Sequence, residues 1–267
     1  GEADLVEEVA RMASLSKLVG KPLARVNLGV PKPVLSVSQT REQTARRIIA
    51  ALGYNECVTY SFIDRKSAEM FGGGADATRL SNPISSEMSH MRPSLLPGLL
   101  QAAARNQARG ISDMALFEVG PVWHGGEPED QETLACGILV GHTGPKDVHG
   151  ARRVVDIYDA KADVEAVLQA IGAPSKVQFQ RGLSGWWHPG RSARMALGKT
   201  SLAGFGEIHP KVLAALDVKG PVVAFAVHTK NVPIPKSKSA TRPALNISAL
   251  QAVERDFAFV VDQSVEA

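Results

Sequence analysis

Cysteine is nearly absent: 267 residues contain two, Cys57 and Cys136, and neither has a Cys or His neighbour at metal-ligand spacing. That rules out a disulfide framework and a zinc site, and leaves buried, reduced thiols in a cytosolic protein as the expectation. Long hydrophobic runs are also missing. The longest, residues 222–227, has strand length, far below the ~20 residues of a membrane span. No signal peptide or anchor is legible. Charge of one sign is lacking too, since the formal net charge is +3, too small to argue for nucleic acid. Gly72-Gly73-Gly74 lacks the Lys-Ser/Thr of a phosphate-binding loop and reads as a turn. What is present is a globular composition. With 44% apolar and 21% charged residues, the chain can bury the core of one large domain or two ordinary ones.

Periodicity sketches the elements. Residues 4–12 predict a helix, with Leu5, Val6, Val9 and Met12 near a 3.6 period. Residues 21–38, with Pro22, Pro31 and Pro33, predict a linker. Thr40 and Gln43 suggest a capping box for a helix that ends before Gly53, with Ala45, Ile48, Ile49 and Leu52 as its apolar face. Val58, Tyr60 and Phe62 alternate with Thr59 and Ser61, the pattern of a half-buried strand. Asp64 is placed to cap a short helix, and residues 94–109 and 159–171 predict longer ones. Strands are expected at 114–119, 134–140, 177–180, 193–197, 201–208 and 222–228. His209-Pro210 opens another helix, and residues 231–243 read as a linker. Helices and strands mix without strict βαβ alternation, which predicts an α+β fold with an antiparallel sheet. The chain opens on Gly1 inside a helical pattern and stops just after the strand-like run 256–261, so it reads as a piece of a longer protein.

Several segments, in order, resemble the bacterial phenylalanyl-tRNA synthetase β-subunit family. They are residues 4–11, Asn82-Pro83-Ile84-Ser85 followed by 91–100, Leu116-Phe117-Glu118-Val119-Gly120, His188-Pro189-Gly190-Arg191-Ser192-Ala193, Gly204-Phe205-Gly206-Glu207-Ile208-His209-Pro210, and residues 253–259. Met12-Ala13-Ser14-Leu15 departs from the Tyr-Gly-Tyr-like turn of the family, and residues 18–37 match it poorly. The resemblance implies a class II aminoacyl-tRNA synthetase-like antiparallel sheet flanked by helices. The implied division is 1–20 as the end of a preceding small domain, 21–38 as a linker and 39–230 as the synthetase-like domain. Residues 231–250 follow as a linker, and 251–267 as the first strand of a ferredoxin-like anticodon-binding domain. An active class II site needs an Arg-x-Glu strand and a glycine-rich strand ending in Glu-Arg, because both arginines offset triphosphate charge. Neither occurs: there is no Arg-x-Glu, Glu254-Arg255 has no glycine run before it, and Gly204-Phe205-Gly206-Glu207 is followed by Ile208. A non-catalytic domain is therefore expected, with no catalytic or nucleotide-binding residues. It would pair with the catalytic α subunit in a cytoplasmic heterotetramer that joins phenylalanine to tRNA with ATP. An independent tRNA-binding module is the alternative.

Individual residues carry competing readings. Asp4, Glu7 and Glu8 share one helix face. By spacing alone, acidic residues near a helix N-terminus, favoured by the dipole, are the simpler account. The resemblance instead implies a Mg²⁺ site shared with the α subunit, with a further aspartate upstream of Gly1. Arg92 suits either a partner contact or a loop anchor bonded to carbonyls. Glu118 lies in an apolar strand and is expected to be buried and paired. His188 and His209 precede prolines, and a turn or cap role suits His209. Trp123, Trp186 and Trp187 could stack bases but fit core or interface packing better. Arg105 to Arg109, Lys146, Arg152, Arg153, Lys236 and Lys238 could face tRNA or simply be solvated.

Overall fold

The computed structural model describes residues 1–24, 34–144, 147–150, 152–183, 185–235 and 244–265. Residues 1–233 form one compact unit and residues 234–267 a second. In the first, α1 (Glu2–Ala13) and α2 (Val37–Ala51) precede the two-residue strands β1 (Asn55–Glu56) and β2 (Phe62–Ile63). Then come α3 (Arg65–Met70), β3 (His90–Met91), α4 (Leu96–Gln107), β4 (Met114–Trp123), β5 (Gln131–Val140) and α5 (Ile157–Ala170). β6 (Gln178–Gln180), β7 (Trp187–Leu197), β8 (Thr200–Ile208), α6 (Pro210–Ala215) and β9 (Val222–His228) complete it.

Seven strands form one sheet in the order β1-β4-β5-β9-β8-β7-β6. Every pairing is antiparallel except that of β1 with β4. Side-chain alternation sends the two faces into separate cores. Phe117, Val119, Phe205, Val223, Phe225 and Val227 meet Ala45 and Ile49 of α2 and Val164 and Leu168 of α5. Leu116, Val122, Cys136, Ile138 and Ala224 meet Leu96, Leu99 and Leu100 of α4 and Val212 and Leu213 of α6. Because helices cover both faces, β9 is apolar at nearly every position instead of alternating. At Gly137 an added Cβ would lie 2.5 Å from the Phe225 ring, which stacks edge-on with Tyr54 at 5.9 Å.

Three expectations need correction. The capping box of α2 is Ser36–Gln39, not Thr40–Gln43: Ser36 Oγ accepts from the Gln39 N–H at 3.2 Å, and Gln39 Oε1 accepts from the Ser36 N–H at 2.9 Å. Thr40 thus lies inside the helix, its hydroxyl donating back to the Ser36 carbonyl, and Leu52 is exposed beyond its end. Residues 58–61 form no strand, and their burial is the reverse of that expected, with Val58 and Tyr60 outside and Thr59 turned inward. Residues 251–261 form no strand either, because an extended run with no neighbour has nothing to satisfy its ladder groups. Much of the linkers expected at 21–38 and 231–250 lies outside the described residues.

Candidate functional site

Where polar groups are forced beneath α4, they form one closed network. Arg92 is 3% exposed and Glu118, on β4, 4%. Arg92 Nη1 donates to Glu118 Oε1 at 2.8 Å and to Thr59 Oγ1 at 2.9 Å, and its Nε donates to the Pro121 carbonyl at 3.0 Å. The Thr59 hydroxyl in turn donates to Glu118 Oε2 at 2.6 Å. Gly120 makes room, since a Cβ there would stand 3.0 Å from Arg92 Nη2. Every charge is matched by an opposite charge or a dipole, so the network holds the fold and leaves no group to act on a substrate. Arg92 is therefore the loop anchor and Glu118 its buried partner. Beside them Cys136 is fully buried, and burial pushes its thiol pKa up, away from the reactive thiolate.

The ends of the central strands are the second place to look. β8 runs from its glycines into α6 through His209, whose Nδ1 caps the helix by accepting from the Lys211 N–H at 3.1 Å. β9 ends at a short 3-10 turn, Thr229–Asn231, preceded by His228. Neither junction carries an arginine. Beside the end of β9, Glu132 sits between two histidines, with Oε1 2.7 Å from His124 Nε2 and Oε2 3.2 Å from His228 Nδ1. Burial opposes the Glu132 carboxylate, but the two imidazoles outweigh it and hold its pKa at about 2; the same bond raises that of His124. Sequence reasoning missed this cluster, since its members come from β5, the end of β9 and the residue just after β4, and share no local spacing. It also missed Thr59.

Asp4, Glu7 and Glu8 lie exposed on α1, none of whose side chains is buried. Glu8 pairs with Arg11. Among the described residues no group of three or more His, Cys, Asp or Glu is disposed to hold a metal. Their hard oxygens have the chemistry Mg²⁺ prefers, but the three do not by themselves make a closed site.

Two of the basic residues are paired with carboxylates. Arg152 bonds Asp113 at 2.5 Å and Arg153 bonds Asp159 at 2.5 Å. Lys146, Lys236 and Lys238 lie outside the described residues. Trp187 is core, and Trp186 packs on Phe71 with ring centroids 5.5 Å apart. His188, within β7, accepts at Nδ1 from the Gly190 N–H at 3.2 Å.

The family model for the phenylalanyl-tRNA synthetase beta chain CLM domain matches residues 27–229. The chain belongs to that family. Among its relatives, the phenylalanine–tRNA ligase beta subunits of Cereibacter sphaeroides and Ruegeria pomeroyi are each 67% identical over the whole of this chain, covering 33% and 34% of their own length. That of Rhodospirillum rubrum is 49% identical over 99% of the chain and 33% of its own length. The chain thus spans about a third of the curated relatives it matches. Two structures of pyrrolysyl-tRNA synthetase from Desulfitobacterium hafniense superpose with TM-scores of 0.53 and 0.54 at 14% and 16% identity. They cover 72% and 73% of this chain and 64% and 67% of theirs. That likeness fixes the fold: a mixed α+β domain with a seven-stranded, mainly antiparallel synthetase sheet.

Proposed function

We propose that this CLM domain is a class II synthetase-like domain without catalytic residues, serving a phenylalanine–tRNA ligase by pairing with its catalytic α subunit. The observation that carries the reading is the family match over residues 27–229. The absence of Arg-x-Glu and of a glycine-led Glu-Arg supports the non-catalytic half. A site that lacks both arginines has nothing to offset the charge of ATP, so adenylation of phenylalanine and transfer to tRNA fall to the α subunit. This chain contributes a rigid sheet, closed on both faces, that orders the heterotetramer in the cytoplasm. The division stays as the sequence suggests, with 1–20 from a preceding domain, 39–230 synthetase-like and 251–267 opening an anticodon-binding domain.

Asp4, Glu7 and Glu8 supply part of a Mg²⁺ site completed by groups outside this set. The ion would neutralise three neighbouring carboxylates on one helix face and tie α1 to its surroundings. An independent tRNA-binding role is disfavoured, because Arg152 and Arg153 already spend their charge on aspartates.

Two calorimetric titrations test the reading. The full-length chain should bind the α subunit at submicromolar concentration and show no heat with ATP–Mg²⁺ and phenylalanine when α is absent. Saturable ATP binding by the isolated chain would overturn it, as would failure to bind α at micromolar concentration.

A further inference from the structure

The β6 end of the sheet carries charge of one sign. Between Glu165 and Glu207 the chain has no acidic residue, although it has 27 in all, and the interval holds Lys176, Arg181, Arg191, Arg194 and Lys199. The fold gathers these at one place. β6 is the terminal strand, at the opposite end of the sheet from β1. Lys176 precedes it and Arg181 follows it, both exposed. Arg194 stands across from Gln180 on β7 and donates from Nε to its Oε1 at 2.9 Å. Lys199 is exposed in the tight turn joining β7 to β8. The carboxylates that bound the interval are already paired, Glu165 with Lys161 at 3.8 Å and Glu207 with Arg191 at 2.7 Å. Lys176 and Lys199 have no carboxylate partner among the described residues. Lysines beside an edge strand also deter wrong pairing. Blunting works with charge of either sign, however, and gives no reason to exclude acids from so long a stretch.

The same edge holds an aromatic ring. Phe179, the middle residue of β6, is 49% exposed. Phe205 meets it edge-on at 6.2 Å, and Lys161 Nζ lies 4.7 Å from its centroid. Beside the ring opens a cavity of about 290 Å³, bordered by Glu165, Leu168, Gln169, Ser175, Val177 and Phe179. Its walls are mainly apolar, with a carboxylate, an amide and a hydroxyl as the polar groups.

We propose that the β6 edge is a contact site for the tRNA of the ligase, with backbone phosphates on Lys176 and Lys199 and the base of an unpaired nucleotide against Phe179. The inference rests on the reading above, that the chain serves a phenylalanine–tRNA ligase, and gives its tRNA a surface on this chain. Two observations select the occupant. An acid-free run of cations selects a polyanion. An aromatic ring beside a cavity with apolar walls and a few polar groups selects a polyanion that carries bases, because an unpaired base stacks by its face and bonds by its edge. An acidic protein segment would answer the cations and leave the cavity without a matching group. The contact is auxiliary, since two lysines and one ring do not hold a tRNA alone.

The test uses the full-length chain assembled with its α subunit and a tRNA(Phe) transcript as the probe. Affinity is followed by filter binding from about 50 to 200 mM salt. Lys176→Gln with Lys199→Gln should lower the slope of log K against log salt by about 1.4, two phosphate contacts at ~0.7 each. Phe179→Leu should weaken binding roughly fivefold or more with the slope unchanged. Lys66→Gln with Lys230→Gln, which removes the same charge from exposed positions elsewhere, is the control. In aminoacylation the KM for tRNA rises in the edge variants, while kcat and the KM values for ATP and phenylalanine hold. If the wild-type assembly binds no tRNA, the functional reading fails. If it binds and the lysine pair keeps both slope and affinity, the β6 edge is wrong while the reading stands. Equal effects from the edge and control pairs mark a general field of charge and overturn the proposal, as does unchanged affinity in Phe179→Leu. A lysine pair that weakens α binding and leaves tRNA affinity intact assigns the edge to a protein partner and also overturns it.

Discussion

Replacing Glu118 by alanine would leave the Arg92 guanidinium 3% exposed and without its one anionic partner among the described residues. The change removes the 2.8 Å bond from Arg92 and the 2.6 Å acceptor of the Thr59 hydroxyl. The Pro121 carbonyl and Thr59 still accept from Arg92, so the charge keeps dipoles around it but no counter-charge. Breaking a buried pair in this way costs about 3–5 kcal/mol. For a chain of this size each kcal/mol moves Tm by about 2–4 °C, which places the drop near 10 °C. Arg92→Met should cost a similar amount, as it leaves the carboxylate buried alone. The double variant Glu118→Leu/Arg92→Met removes both charges and fills the space. What remains unsatisfied is the Thr59 hydroxyl and the Pro121 carbonyl, about 1–3 kcal/mol each. The double-mutant cycle should therefore return a coupling of roughly 3 kcal/mol or more. Urea unfolding of the four proteins measures it. Single variants that each lose less than about 1 kcal/mol, or costs that simply add, would refute the claim that the pair is a closed unit.

The Glu132 cluster should make stability depend on pH from both sides. Its contribution is present above the ordinary carboxylate value of 4.5 and lost as pH falls toward 2; that of His124, raised from 6.5, is full below 6.5 and lost as pH rises through its folded value. The difference in Tm between wild type and Glu132→Gln should thus be widest between about pH 4.5 and 6.5, and a difference that does not change with pH would contradict it. Gly137→Ala would drive a methyl to within 2.5 Å of the Phe225 ring, costing about 1–3 kcal/mol by overpacking, read from chemical denaturation. Arg41 donates to the Val232 and Pro233 carbonyls at 2.6 and 2.7 Å. Arg41→Met should release that stretch, seen as faster amide hydrogen exchange at residues 229–232 with the sheet still protected.

How much was legible depended on the range of the interaction. β9 and the flanks of α4 and α5 announced themselves because their own side chains carry the pattern. Asp64 and His209 were readable as caps because a cap is satisfied within three residues. Arg92 and Glu118 could be suspected, one by its place beside a proline and the other by its apolar strand, but nothing local joined them. Their partner Thr59 sat in an alternating run whose pattern pointed the wrong way, since Val58 and Tyr60 lie outside and the hydroxyl is inside. Periodicity counts apolar residues on the assumption that they face the core of their own chain. An edge that displays them breaks the rule where sequence alone has no second reading. The histidines around Glu132 were invisible for the same topological reason, since β5 brings them together from positions 124 and 228.

The strand order carries a consequence for how the molecule is made. β9 is the last strand of the sheet to leave the ribosome, and it lies between β5 and β8. Until residues 222–228 emerge, those two strands have bare ladder edges facing a gap, and Phe205 and Ile138 lack their cross-strand neighbours Phe225 and Ala224. Nascent chains shorter than this cannot form the sheet as a unit and expose apolar strand edges that invite wrong pairing. Folding must therefore be late and nearly all at once, and a premature stop between β8 and β9 should yield an aggregate and not a smaller domain.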